Sequence, residues 1–301
     1  NDFIILEGDE YLSSPMDRRP KFHLYQPNIA LISGIAWDHI NVFPTYENYA
    51  EQFEIFLQKI TNGGLLVYNE DDPEVKRVAE ASRNPIRRIP YSTPNYSVEN
   101  GTTLLETPEG AMPIEVFGAH NLNNLAGAKW ICQNMGVDEA DFYEAIASFK
   151  GASKRLEKIA ENKNNVAYKD FAHSPSKVAA TTKAVKEQYP DRQLIACLEL
   201  HTYSSLNAEF LKEYEGALDN ADVAVVFYSP DAVKIKQLEE VSYEQIAKAF
   251  NREDLVIYTN PAAFKEYLYH LKFDTEKIAL LLMSSGNYGG LNFDEVKTLF
   301  N

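Results

Sequence analysis

Cysteine, tryptophan and long apolar runs are what this sequence has least of. Two cysteines occur, Cys132 and Cys197, far apart and each inside an apolar stretch. That pattern excludes a disulfide framework and a cysteine-based zinc site, and it reads as buried free thiols in a reducing compartment. No run approaches the ~20 apolar residues of a membrane helix, and there is no signal peptide, so the expectation is a soluble, cytoplasmic protein without membrane contact. Positive charge is also in deficit. Lys and Arg number 29 against 44 Asp and Glu, a formal net charge of −15, which argues against nucleic acid as a partner because such binding needs a basic face. An anionic ligand would need a local cation or a helix N-terminus. The phosphate-cradling pattern G-x-x-x-x-G-K-[ST] occurs nowhere, and neither does the G-x-S-x-G elbow of hydrolases.

What is present is a large apolar inventory, 45% of 301 residues, enough for two domains. The chain opens at Asn1 without an initiator methionine and enters "FIILEGDEY" at once, which reads as a strand in a processed chain or in a piece of a longer one. "FIILE", "IALISGI" and "LLVYN" read as buried strands, with "TYENYAEQFEIFLQKI" between the last two as a helix capped by Thr45. From Arg87 to Val116 short alternating runs with turn signals at "ENGT" and "PEGA" predict an antiparallel appendage, and residues 120–149 predict two helices. The glycine in "FKGASKRLE" marks a boundary, giving domains 1–150 and 151–301. In the second, "VAYKDFA", "RQLIACLEL", "ADVAVVFYS", "LVIYT" and "KIALLLMS" alternate with helices starting near Pro175, Ala208, Ser242, Pro261 and Phe293. This alternation predicts an α/β fold with a mostly parallel sheet.

Ligands of such sheets bind beyond the carboxyl ends of the strands, so the residues there are the candidates. They are strongly polar: Glu7, Asp9 and Glu10; Asp38 and His39; Asp170 and His173; Glu199, His201 and Ser204; and the "SSGNYGG" loop. Glu7 and His39 fit a divalent-cation site completed by water and phosphate, and equally a buried Glu–His hydrogen bond. Asp170 and His173 fit nucleophile activation, but no nucleophile elbow accompanies them.

The motifs "LEGDEY", "AWDHINVF", "GAHNLNNLAGA", "FKGASKRLE", "DFAHSPSKV" and "MSSGNYGG", in this order along nearly the whole chain, resemble those of the Mur ligases, the ATP-dependent amide-forming enzymes of bacterial wall synthesis. The resemblance implies a truncated central domain, mostly parallel with a small antiparallel appendage, followed by a Rossmann-like C-terminal domain. It implies ATP and Mg²⁺ as cofactors and UDP-N-acetylmuramate as a substrate. "EGDEY", "DRRPKF", "FAHSPS" and "SSGNYGG" are most similar to members that add the murein tripeptide L-alanyl-γ-D-glutamyl-meso-diaminopimelate in peptidoglycan recycling. The alternatives are a member that adds L-alanine and a non-catalytic nucleotide-binding module.

Roles follow from the same resemblance. Glu7 and His39 match the metal-holding carboxylate and imidazole, with Asp38 bracing the turn. His120, Asn121 and Asn124 match an adenine-contacting element, where helix capping is the rival use of an asparagine. Arg155 matches an arginine that reaches the phosphates, and Asp170 an acid near the ribose. His173, Ser204, Ser285 and Gly286 match the incoming-peptide side. Arg18, Arg19 and Lys21 form either a substrate-facing loop or a solvated ion-pair cluster. The implied chemistry is carboxylate activation as an acyl phosphate, then displacement of phosphate by an amine. Lacking a phosphate loop and a uridine-binding domain, the chain reads as a fragment inactive by itself, its first sheet missing a strand and exposing apolar surface.

Overall fold

The computed structural model describes residues 3–239, 241–273 and 275–300; Asn1 and Asp2, at which the chain opens, lie outside them. "FIILE" is not a strand. Phe3, Ile4, Ile5 and Leu6 are 57–86% exposed, since an apolar run becomes a strand only when a neighbour takes its backbone groups. The chain instead folds back on itself through a bridge between Leu12 and Pro20 and a short 3₁₀ turn, Lys21–Leu24.

Two compact units interleave along the chain: residues 1–94 with 121–145, and residues 95–120 with 146–301. The first is built on a parallel sheet of β1 (Ile29–Ile32), β2 (Leu65–Asn69) and β3 (Arg87–Tyr91), in that order. Arg87–Tyr91 therefore belongs to this sheet and not to the antiparallel appendage expected from Arg87 onward. The connections are α1 (Tyr46–Leu57) and α2 (Pro73–Ala81), each started by a side chain that accepts orphan N–H groups: Thr45 from Asn48, Asp72 from Glu74 and Val75. Every residue of β2 is buried. Leu66 and Tyr68 pack with residues of α1 and α2, while Leu65 and Val67 cluster with Ala126, Trp130 and Ile131, so the strand needs an unbroken apolar run rather than alternation.

The antiparallel sheet is β4 (Tyr96–Glu99), β5 (Thr102–Thr107) and β6 (Gly110–Ile114). Asn100 and Gly101 both take positive φ in its first hairpin, the arrangement that a two-residue turn of matching twist requires. Next come α3 (Ala119–Asn134) and α4 (Glu139–Ala147), the two expected helices. Beyond them a strand that the sequence reading passed over, β7 (Glu157–Glu161), runs antiparallel to β8 (Val166–Asp170). Then follow α5 (Pro175–Gln188), β9 (Gln193–Leu200), β10 (Val223–Tyr228), α6 (Pro230–Ile235), α7 (Tyr243–Ala249), β11 (Val256–Tyr258), α8 (Pro261–Tyr269), β12 (Ile278–Met283) and α9 (Phe293–Thr298). The sheet order is β11-β10-β9-β12-β8-β7, parallel except at β7. The helix expected near Ala208 is absent; Asn207 turns the chain there and two 3₁₀ turns, Ser204–Leu206 and Leu211–Tyr214, replace it.

A single cut at 150 differs from these units because β4–β6 are tied to α5. The buried Thr103 hydroxyl donates to Gln188 Oε1 (2.9 Å), Gln188 Nε2 donates to the Gly101 carbonyl (2.6 Å), and Tyr96 donates to the Glu187 carboxylate.

Candidate functional site

In the first unit the chain leaves β1 through a loop held at both ends. Asn69 Nδ2 donates to the Ser33 carbonyl (2.9 Å), the Ile35 amide donates to Asp72 Oδ2 (3.0 Å), and Trp37 Nε1 donates to the Phe43 carbonyl (3.0 Å). Buried Asp38 accepts from the His39 amide (2.7 Å), the bracing expected of it. His39 sits at φ +56°, a left-handed conformation that a non-glycine residue adopts only when its surroundings hold it. Its Nε2 lies 3.5 Å from Glu10 Oε1 and its ring meets Tyr11 edge-on. The carboxylate beside the imidazole is thus Glu10, while Glu7 lies exposed three positions earlier.

Among the described residues no three His, Cys, Asp or Glu side chains converge as a metal cage. A pair of protein donors such as His39 and Glu10 suits Mg²⁺, which keeps several waters and takes phosphate oxygens. The "DRRPK" loop is an ion-pair cluster: Arg19 pairs with Asp17 at 2.7 Å, and Lys21 with Asp9 at 2.5 Å. The Arg19 guanidinium holds the Asp17 carboxyl at about 2.

A second polar centre in this unit was not foreseen as a site. Asn123, buried in α3, aims its Nδ2 at Asn69 Oδ1 (3.0 Å), Thr93 Oγ1 (3.2 Å) and Asp71 Oδ2 (3.4 Å). Asp71 also accepts the Thr93 amide (2.7 Å) and hydroxyl (2.9 Å). Of the expected adenine contacts on the same helix, Asn121 is half-buried and Asn124 exposed. The signal available in the sequence was the run of asparagines in "HNLNN" with "NEDD" after a buried strand.

In the second unit the structure gathers His120, Arg155 and Asp170. Burial holds the His120 imidazole below its ordinary value; Asp170 opposes that and Arg155 adds to it, so all three lie within electrostatic reach. His120 Nδ1 is buried without a hydrogen-bond partner. Gly118, at φ +86°, lets the chain pass α5: a Cβ there would stand 2.4 Å from the Ala184 methyl. Asp170 is buried at the end of β8, and its two carboxylate oxygens accept the Leu156 and Ala172 amides, each at 2.6 Å. That clamp keeps Lys154 and Leu156 in positive φ, with exposed Arg155 between them lying over the Phe171 ring at 5.5 Å. The Phe171 carbonyl in turn contacts His173 Nδ1 at 2.8 Å.

The ends of β9 and β12 form a separate cluster. Glu199, 2% exposed, is the one charge in "QLIACLEL". Its Oε2 accepts from the Ser284 hydroxyl and from the Tyr288 amide (2.7 Å), and its Oε1 lies 3.6 Å from His201 Nδ1. Ser284 Oγ accepts the Gly286 amide (2.7 Å), and the Tyr288 hydroxyl reaches the Cys197 and Met283 carbonyls. Of the expected substrate residues, Gly286 sits where a Cβ would meet Glu199 Oε2 at 2.9 Å, Ser285 Oγ is buried without a partner, and Ser204 is buried in its 3₁₀ turn.

The Mur ligase middle domain matches residues 2–132, and the Mur ligase glutamate ligase domain matches residues 154–286. The chain therefore carries the middle and C-terminal domains of the Mur ligases, in that order. It is 26% identical over 247 residues to a UDP-N-acetylmuramate–L-alanine ligase of Roseiflexus sp. (strain RS-1), covering 73% of this chain and 51% of that protein. It resembles the crystal structure of a murein peptide ligase from Psychrobacter arcticus 273-4 with a TM-score of 0.64 at 20% identity, over 98% of this chain and 62% of that one. It also resembles a MurF ligase from Thermotoga maritima in complex with ADP, with a TM-score of 0.64 at 16% identity, over 91% and 61%. The chain spans about half the length of the curated relatives it matches. Those relatives carry the alanine-ligase name, not that of the tripeptide-adding member singled out from the motifs, and the likeness to the murein peptide ligase is one of fold. No helix among the described residues is long and apolar enough to cross a membrane.

Proposed function

We propose that this chain is the nucleotide-holding and amine-receiving part of an ATP-dependent ligase that acylates an amine with the muramyl carboxylate of UDP-N-acetylmuramate. The observation that carries this reading is the buried, unpartnered His120 Nδ1 in reach of Arg155 and Asp170, because a satisfied core histidine would have its nitrogen bonded. In this reading His120, Asn121 and Asn124 contact adenine, Arg155 meets the phosphates, and Asp170 holds the turn that aims Arg155. The muramyl carboxylate oxygen attacks the γ-phosphorus and ADP leaves; the amine nitrogen then attacks the acyl carbon, inorganic phosphate leaves, and the nitrogen gives up a proton. His39, with Glu10 or Glu7, would hold Mg²⁺, which when bound supplies charge neutralisation at the phosphates. His173, Ser204, Ser285 and Gly286 face the incoming amine, and the buried Ser285 hydroxyl is a donor without a partner there.

Two amines fit. The curated relatives favour L-alanine, and the motif series favours the murein tripeptide. Phosphate release by the full-length gene product, with ATP, UDP-N-acetylmuramate and each amine in turn, decides between them. Activity with neither sinks the ligase reading, and undiminished turnover in Arg155→Ala removes that residue's role.

A further inference from the structure

We propose that Asn123 is a positioning residue that sets the rotation of α3 about its own axis, and so the presentation of Asn121 and Asn124 to a purine edge. The inference rests on the reading of those two asparagines as adenine contacts. α3 is held at two points one turn apart. At Asn123 a buried carboxamide reaches the loop after β2, through Asn69 and Asp71, and the loop after β3, through Thr93. At Gly127 the backbone approaches so closely that a Cβ would stand 2.9 Å from Tyr91 Cζ and 3.0 Å from Leu31 Cδ1. Residues four apart share a helix face, so these points fix which side of α3 looks inward. Asn124, 100° further round, is exposed, and half-buried Asn121, three positions before it, shares its helix face.

The leverage is geometric. Side-chain tips lie roughly 5–6 Å from a helix axis, so a rotation of about 20° carries them about 2 Å. Amide-to-purine hydrogen bonds do not survive such a displacement. A carboxamide suits the node because its –NH₂ can serve neutral and charged acceptors together. Asp71, already taking two donors from Thr93, adds a fixed negative charge that discriminates against any acceptor at position 123.

The test uses the full-length gene product labelled with ¹⁵N and ADP as the probe, following the side-chain amide signals of Asn121 and Asn124. Asn123→Asp sets a second carboxylate against Asp71 and should weaken ADP about fivefold or more. Adding Asp71→Asn restores a donor–acceptor pair and should recover most of the affinity, as a coupled pair requires. Should Asn123→Asp fail to fold, Asn123→Ser removes the reach without adding charge and should weaken ADP in the same direction. Wild-type affinity in the folded Asn123 variants, with loss in Asn124→Ala, would overturn the positioning role and leave the adenine reading standing. Equal weakness in the single and double variants would also overturn it. A wild-type chain whose asparagine signals ignore millimolar ADP removes the adenine reading, and the proposal with it.

Discussion

The two units solve the same problem, polar groups at the buried ends of strands, around different hubs. In the first, the hub is the neutral Asn123 amide, which donates to Asn69, Thr93 and the Asp71 carboxylate. In the second, Asp170 and Glu199 are buried carboxylates enclosed by backbone N–H groups and a hydroxyl. A buried charge left without donors is costly, so the second unit commits whole loops to wrapping its acids. A neutral amide demands less of its surroundings, and Asn123 is as buried as Asp170 without a wrapped loop of its own. The difference teaches where rigidity is concentrated: the linker around Arg155 and the "SSGNYGG" loop are shaped by charge, whereas α3 is shaped by a hydrogen-bonded node and close packing.

Breaking that contrast should give effects of graded size. Glu199→Ala strands the Tyr288 amide and the Ser284 hydroxyl in a buried place and should cost about 3 kcal/mol in urea unfolding, with Glu199→Gln recovering part of it. Loss below ~1 kcal/mol would mean that the loop has other supports. Thr93→Val removes one hydroxyl from the node around Asn123 and should cost about 1 kcal/mol by the same measurement. An effect as large as that of Glu199→Ala would erase the distinction between the units. The smallest effect concerns pH. His120 has its folded value lowered from 6.5, so below that pH the unfolded chain binds the extra proton, and the stability that His120 contributes above 6.5 is lost as pH falls. His120→Gln should flatten the stability curve below pH 6.5, and an unchanged slope would place the titrating group elsewhere.

How much of this was legible beforehand varies by element. β2 and the β8, β9, β10 and β12 core were readable because each is an apolar run of strand length between turn signals. β7 was not: "EKIAE" carries too little apolar character and forms by pairing with β8. "FIILE" misled for the converse reason, having strand composition without a strand beside it. Asp38 as a turn brace followed from the resemblance, whereas the imidazole's acid neighbour came out as Glu10, because the backbone path between Gly8 and Tyr11 decides which of several nearby carboxylates meets the ring. Nothing inside "HNLNN" marks Asn123, and only its neighbours Asn69, Asp71 and Thr93 give it a role.

By itself, then, the sequence determined the α/β class, the order of most strands and helices, and which strand ends carry polar chemistry. These depend on local periodicity and composition, which a linear reading carries. Tertiary structure alone decided that β4–β6 join the C-terminal unit through Thr103 and Gln188, that Asp170 clamps the linker at Leu156, and that Glu199 organises the loop beyond β12. Each of those is a bond between residues 14 to 89 positions apart, and such pairings are set by how packed elements meet, which nothing within a single segment specifies.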